Sequence, residues 1–259
     1  MRISSIMFAS ALAVAASAGI AQAGANLITN GDFSETSPTI NVSTQFGTSA
    51  VVHNRQFVTG WTGNNGYEIW YPSATAATID NAVGQYSFTR VEKLWSVQAP
   101  PSGPGTFIGL DGAQIAGVQS SIEQTLRDLS IGSTYQVSFD WAGAQMQSRT
   151  GPTTEALAVS FGTSTQSTVT IDNASQGFTG WQTDTMQFVA HSANEVLSFL
   201  AVGSPSGLPP MSLLTNVSVQ KVAVPEPSSL ALLGGGLVGL GLVLRRRRSA
   251  RRGVSNTKI

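Results

Sequence analysis

Cysteine is absent from all 259 residues, which removes disulfide frameworks, thiolate metal ligands and thiol nucleophiles together. Histidine is nearly absent too. His53 and His191 are too few for a histidine-built zinc centre and read as isolated surface or loop residues. Charge is scarce, at 11% Asp, Glu, Lys and Arg where an average soluble domain has about 25%. No Gly-x-Ser-x-Gly elbow, phosphate-binding loop or His-Glu-x-x-His helix occurs. Glycoside hydrolysis needs two carboxyl groups held roughly 5 to 9.5 Å apart, one of them with a raised pKa. No acid here sits in a motif that announces such a pair: Asp111, in Leu-Asp-Gly, reads as a turn former at a strand end, and Glu123 and Asp128 read as solvated surface. The sequence is therefore read as non-enzymatic, with no metal or cofactor site.

What charge there is lies unevenly. Seven of the 14 basic residues follow position 244, and one is Arg2. Between Gly24 and Val222, 13 acids face six basic residues, a net charge of −7. An acidic body argues against nucleic acid, because phosphate contact needs a surplus of Lys and Arg. The two ends read as addresses. Residues 1–23 carry Arg2, a short apolar core and Ala21-Gln22-Ala23, the pattern of a secretory signal helix cut by signal peptidase between Ala23 and Gly24. At the other end a Pro-rich linker, 223–229, precedes the apolar run Leu230–Leu244 and then Arg245, Arg246, Arg247 and Arg248. Fifteen residues make a helix of about 22 Å, short of a relaxed span of roughly 20 residues but able to cross with its ends pulled in. Arginines after an apolar helix stay cytoplasmic, so 245–259 reads as a cytoplasmic tail, with the body across the inner membrane.

The order Pro225-Glu226-Pro227, a glycine-interrupted apolar helix and an arginine cluster resembles the PEP-CTERM sorting signal of Gram-negative bacteria. That resemblance implies a membrane-embedded exosortase that recognises the tail and cuts near Pro-Glu-Pro. The apolar helix is then a transient anchor, and the mature protein reaches the cell surface or an extracellular, biofilm-type matrix.

The body, 24–222, shows short runs of period-two alternation, the signature of half-buried strands. Tyr135, Val137, Phe139 and Trp141 alternate with Gln136, Ser138 and Asp140. Similar runs appear at 26–33, 51–58, 67–70, 106–110, 157–161, 167–171, 184–190, 195–202 and 212–219, parted by Gly, Asn, Ser and Pro clusters. Many short strands without alternating helices predict an all-β antiparallel sandwich. Asn26-Leu27-Ile28-Thr29-Asn30-Gly31-Asp32-Phe33, Gly60-Trp61, Gly109-Leu110-Asp111-Gly112 and the closing run Leu213–Val219 resemble a galactose-binding-like, carbohydrate-binding-module-like jelly roll. The resemblance implies that the opening and closing strands are neighbours. Relatives commonly carry Asp where this chain has Thr215, which puts their calcium site in doubt here.

Non-catalytic carbohydrate binders set aromatic faces against sugar C–H surfaces and ring them with hydrogen-bonding side chains. Trp141 is in phase with the apolar face of its strand, and Trp61 and Trp181 each follow Thr-Gly beside strands, so core packing is expected for all three. Trp70 and Tyr71 adjoin the turn-rich Gly63–Gly66 and Pro72, close to Asn64 and Asn65. With Trp95 they are candidate glycan contacts; the alternative is that these aromatics cap the core beneath long loops. The expected partner is an extracellular polysaccharide or surface glycan. A polysaccharide-modifying enzyme and a purely structural adhesion protein are the rivals. Replacing Glu226 with Ala should abolish C-terminal processing, so that the variant recovered from its host is heavier than wild type by mass spectrometry. Equal mature masses would defeat the sorting reading.

Overall fold

The computed structural model describes residues 24–46, 56–64, 66–79, 93–147, 149–223, 236–237 and 239–245. The signal segment, Pro225-Glu226-Pro227 and Arg246–Arg248 lie outside them, as do Asn65 and His53. The chain clusters into two units, one spanning Ala23–Val222 and the other gathering 1–22 and 223–259. In the second unit residues 239–245 are helical. Among the described residues no helix is long and apolar enough to cross a membrane, and Leu230–Leu244 is described only in part.

The first unit is an all-β jelly-roll sandwich. Sheet 1 runs in the order β1 (Thr44–Gln45), β3 (Glu68–Tyr71), β4 (Phe107–Asp111), β12 (Pro210–Lys221), β6 (Thr134–Gln145), β10 (Gln182–Val189). Sheet 2 runs β2 (Thr62–Gly63), β5 (Ser121–Leu126), β11 (Glu195–Ser204), β7 (Thr153–Phe161), β8 (Ser164–Ser167), with β9 (Ile171–Asn173) also paired to β7. Neighbouring strands in both sheets are antiparallel. From β4 to β7 and from β10 to β12 the chain changes sheet at each connection, which wraps the two layers around one core. Alternation explains that core: Tyr135, Val137, Phe139 and Trp141 of β6 meet Leu157, Val159 and Phe161 of β7 and Leu197 and Phe199 of β11. Phe139 meets Phe199 edge-on at 5.1 Å, and Phe161 stacks on Phe188 at 5.6 Å. Trp61 and Trp141 are both buried in this core.

The N-terminal segment closes the sandwich. Leu27 N donates to Val219 O (2.9 Å) and Val217 N to Gly31 O (2.8 Å), so the opening and closing segments are neighbours. The expected strand 26–33 is not a regular ladder; side chains complete it. Gln124 Oε1 accepts from Thr29 N while its Nε2 donates to Thr29 O and Gly60 O, the work of a missing neighbour strand. Two buried indoles are satisfied here, Trp61 on Asn30 O and Trp70 on Phe33 O. The run expected at 167–171 is instead the junction of β8 and β9: Thr168 N bonds Leu157 O, and its hydroxyl accepts from Leu157 N. One short helix was not anticipated, α1 (Ala74–Thr78), started by the Ser73 hydroxyl oxygen, which accepts from Ala76 N.

Gly31 shows how tightly the ends meet, because a Cβ there would lie 1.9 Å from Val217 O. Gly31→Ala must push the opening segment off β12 and should cost about 1–3 kcal/mol in urea unfolding. Gly207, with nothing within 4 Å of its added Cβ, serves as the control. Equal stability of the two alanine variants would show that the N-terminal segment contributes nothing.

Candidate functional site

Sheet 1 is apolar on both faces over half its extent. Trp70, Ile108, Leu214 and Trp141 point into the sandwich. Their neighbours Ile69, Tyr71, Phe107, Leu213 and Ala142 point outwards and form a second cluster with Met211, Ala144, Ala77, Leu94 and Met146. Gly109 lies in the middle of this outer face because a Cβ there would come within 2.9 Å of Tyr71 and 3.0 Å of Met211. The cluster is roofed by chain from two loops, 93–98 and 174–181, with Val97, Phe178 and Trp181 partly buried at its rim.

Two tryptophans therefore stand half-exposed where the roof ends. Trp95 is held by its main-chain N on Gln145 O (3.0 Å) and by its indole Nε1 on Arg149 O. Trp181 donates from Nε1 to Gln98 O (2.8 Å) and meets Phe107 edge-on at 5.6 Å and Phe178 at 6.1 Å. Both indole N–H groups are used internally, so what these residues offer solvent is ring surface. Trp181 leads straight into β10, and its face continues as Thr183 and Thr185, beside Asp140 and Ser138 of β6 and Ser218 of β12. Asp140 is satisfied at both oxygens, by Thr183 Oγ1 (2.6 Å) and Asn216 Nδ2 (2.8 Å). Asn216, at φ +52°, also donates to Ser102 Oγ (2.9 Å) and so ties the 101–105 loop to the strip. An aromatic rim thus passes into a strip of hydroxyls and amides along one sheet face.

The residues expected to form a site are not brought together. Trp70 is 2% exposed and Tyr71 is fully buried, which corrects their reading as exposed glycan contacts. The cause is topological: β3 is an inner strand of a sheet covered on both faces, so Trp70 enters the core while Tyr71 packs on Phe107 at 5.1 Å. Asn64 is exposed, but its amide shapes a turn, accepting from Gly66 N (2.7 Å) and donating to Gln119 O (3.2 Å). Trp95 does lie at the rim. Trp181 and Phe178 were missed as rim residues, although a signal existed. The apolar phase of β10 is Met186 and Phe188, and Trp181 falls on the opposite parity, with the solvent-facing threonines.

Thr215, the departure from the calcium-binding pattern, is buried and donates to Thr106 O (2.8 Å), while Thr106 donates to Asp32 O. Hydroxyls thus link strands where a cation would need carboxylate oxygen. Two acids stand outside the ordinary carboxylate range. Burial raises Asp111, whose carboxylate accepts from Ala113 N (2.8 Å), to about 6. Burial also raises Glu155 to about 7, opposed by hydrogen bonds from Thr153 and Asn173 and reinforced by the Asp172 charge.

Residues 223–248 match the PEP-CTERM protein-sorting motif, and residues 109–208 match the family described as protein of unknown function DUF642. The chain thus carries a PEP-CTERM motif, which implies export, and a DUF642 region that takes in the strands β5 to β11. No curated protein matches it. Among solved structures it is similar to TmCBM61 in complex with β-1,4-galactotriose, at 14% identity over 76% of this chain and 99% of that one, with a TM-score of 0.39. The CBM22-1 xylan-binding domain of Xyn10C from Paenibacillus barcinonensis is similar at 13% identity, 79% and 99% coverage and a TM-score of 0.37. The enzymatically active domain of bacteriophage CBA120 tailspike protein 4 is similar at 13% identity, 76% and 21% coverage and a TM-score of 0.32.

Because folding raises both acids, the folded state holds their protons more tightly than the unfolded chain does. The stability they contribute is complete below the ordinary carboxylate range and is lost as pH rises through about 6 for Asp111 and about 7 for Glu155. Urea unfolding free energy should therefore fall between pH 5 and pH 8, by up to about 3 kcal/mol from Glu155. Glu155→Gln should flatten the upper part of that decline. A wild-type stability that holds level over this range would contradict the assignment.

Proposed function

We propose that this chain is an exported surface or matrix protein whose sandwich binds extracellular polysaccharide or a cell-surface glycan without catalysis. The observation that carries the reading is the outer face of sheet 1, where Trp95, Phe178 and Trp181 adjoin a strip of Thr, Ser, Asn and Asp side chains. Ring surface next to fixed hydroxyl and amide groups suits a polymer that is apolar on its C–H faces and polar at its edges. The net charge of −7 on the body disfavours polyanions such as nucleic acid. Both acids with raised pKa, Asp111 and Glu155, are buried, so neither is placed to protonate a bound sugar.

Delivery follows from the ends: signal peptidase cuts after Ala23, Leu230–Leu244 anchors the chain briefly, and exosortase processes the tail at Pro225-Glu226-Pro227. The tail leaves the sandwich beside Val222, whose N donates to Thr134 O at the start of β6, whereas Trp95 is bonded to Gln145 at the far end of that strand. Twelve residues of strand put roughly 36 Å between these points.

The test is calorimetric titration of the exported protein with its host's own exopolysaccharide, following reducing ends in the same sample. Saturable heat without new reducing ends is expected. Trp181→Ala and Trp95→Ala should each weaken binding about tenfold to a hundredfold, the range for a buried aromatic contact, and Asn64→Ala should not. New reducing ends would make the protein an enzyme, and absence of heat would give first place to the structural adhesion reading.

A further inference from the structure

Glu155 lies beneath the joint between the rim and the sheets. It extends from β7 into the sandwich, wholly out of contact with solvent. Thr153 Oγ1 donates to its Oε1 (2.5 Å), but its Oε2 has no hydrogen-bond partner. That oxygen faces the Cα of Gly143 on β6, across the sandwich. A Cβ on Gly143 would lie 2.7 Å from Glu155 Oε2 and 3.0 Å from Thr179 Cγ2, so glycine is what lets the carboxyl approach. Gly143 and Thr179 are bonded in both directions, Gly143 N to Thr179 Oγ1 (2.8 Å) and Thr179 N to Gly143 O (3.0 Å). Ala144 bridges to Phe178, and Trp181 follows two residues after Thr179. An unbroken series of contacts thus runs from Glu155 through Gly143 to both aromatics of the loop.

A buried polar atom without a partner calls for a reason. A neutral carboxyl tolerates this site, whereas the ionised form has beside it only the uncharged donors of Thr153 and Asn173, and Oε2 makes no hydrogen bond of its own. β6, β11 and β12 bring Gly143, Gly203 and Ser212 to this region, and β9 brings Asn173; none carries a charge. The charged group that acts on Glu155 is Asp172 of β9, and it repels. Water would relieve the ionised form further, and the part of the cover bonded directly to Gly143 is the 174–180 turn, through Thr179. That turn is fastened by Gln176 N on Gln145 Oε1 (2.7 Å), Gly151 N on Ser175 Oγ (2.8 Å), two long bonds, Ser96 Oγ to Gln176 O and Asn173 to Gly177 (both 3.4 Å), and the two Gly143–Thr179 bonds.

We propose that Glu155 is a positioning residue that gates the rim: neutral, it packs under Gly143 and keeps the loop bearing Phe178 and Trp181 docked; ionised, it releases that loop. The purpose of the gate rests on the glycan-binding reading, but its existence can be tested without any glycan. The five tryptophans give five indole N–H signals in nitrogen–proton NMR, and Trp181→Phe assigns the one that matters. Between pH 5 and pH 9 the Trp181 signal should titrate in the exported protein, while that of Trp141, deep in the core, stays fixed. Glu155→Gln should hold the Trp181 signal constant. Asp172→Asn, which removes the repulsion, should move the midpoint to lower pH, and this arm serves should the glutamine variant not fold. In calorimetry with the host exopolysaccharide, affinity should drop about tenfold from pH 6 to pH 8, the ratio of neutral populations for a midpoint near 7. A Trp181 signal that is invariant, or that titrates unchanged in Glu155→Gln, would overturn the gate. Titration of the signal without any glycan heat would keep the gate and remove the binding reading.

Discussion

The burial of sheet 1 on both faces is the constraint on which the rest of the structure depends. A sandwich needs one apolar face per sheet, and the other can be left to water. Here the half of sheet 1 containing β3, β4 and the first part of β12 has no polar face, so it must be roofed. The roof is made of loop, and loop carries backbone polar groups that need partners. Those partners are the main-chain bonds of Trp95, Gln147 and Thr179 to Gln145, Lys93 and Gly143. The two half-exposed tryptophans stand at the roof's margin because that is where the apolar face stops and the polar half of the sheet begins.

The same constraint decides what was legible in the sequence. The first half of β6 and all of β10 have one wet face, so their period-two alternation could be read directly, and Trp141 was placed in the core by its phase. β3 and β4 lack that contrast. Glu68–Tyr71 and Phe107–Asp111 are buried at every position, so no alternation shows which way Trp70 or Tyr71 points, and nearby turn residues suggested exposure. Parity within β10 did separate Trp181 from Met186 and Phe188; its Thr-Gly-Trp context, shared with the buried Trp61, outweighed that signal. Glu155 could not be found this way. Its burial comes from contacts across the sandwich to Gly143 and across the β7–β9 pair to Asn173, pairings of long sequence separation that no local pattern encodes.

The N-terminal segment illustrates a different limit. The jelly-roll resemblance implied a place beside β12, and it lies there, but as a segment held by Asn26, Asn30 and Gln124 side chains instead of a ladder. Two left-handed residues, Asn30 and Phe33, break the alternation that a regular strand would need. Amide side chains copy the donor and acceptor pair of a peptide group, so Gln124 can stand in for a neighbouring strand at the one point where the backbone turns away.

The rim's own bonding bears on what kind of recognition it can support. Since Trp95 and Trp181 spend their indole N–H groups on Arg149 O and Gln98 O, their rings are held before any ligand arrives, and little rotamer entropy remains to be lost on binding. The same bonds leave the rings without a donor to offer. On the glycan-binding reading, affinity then comes from ring surface, and discrimination between sugars falls to Thr185, Ser138 and Ser218. Asp140 and Asn216 are occupied with each other and with Thr183 and Ser102, so they fix the shape of the strip. A surface of this kind, with a rigid apolar part and a few rotatable hydroxyls, favours many weak contacts along a repeating polymer over tight capture of one small molecule.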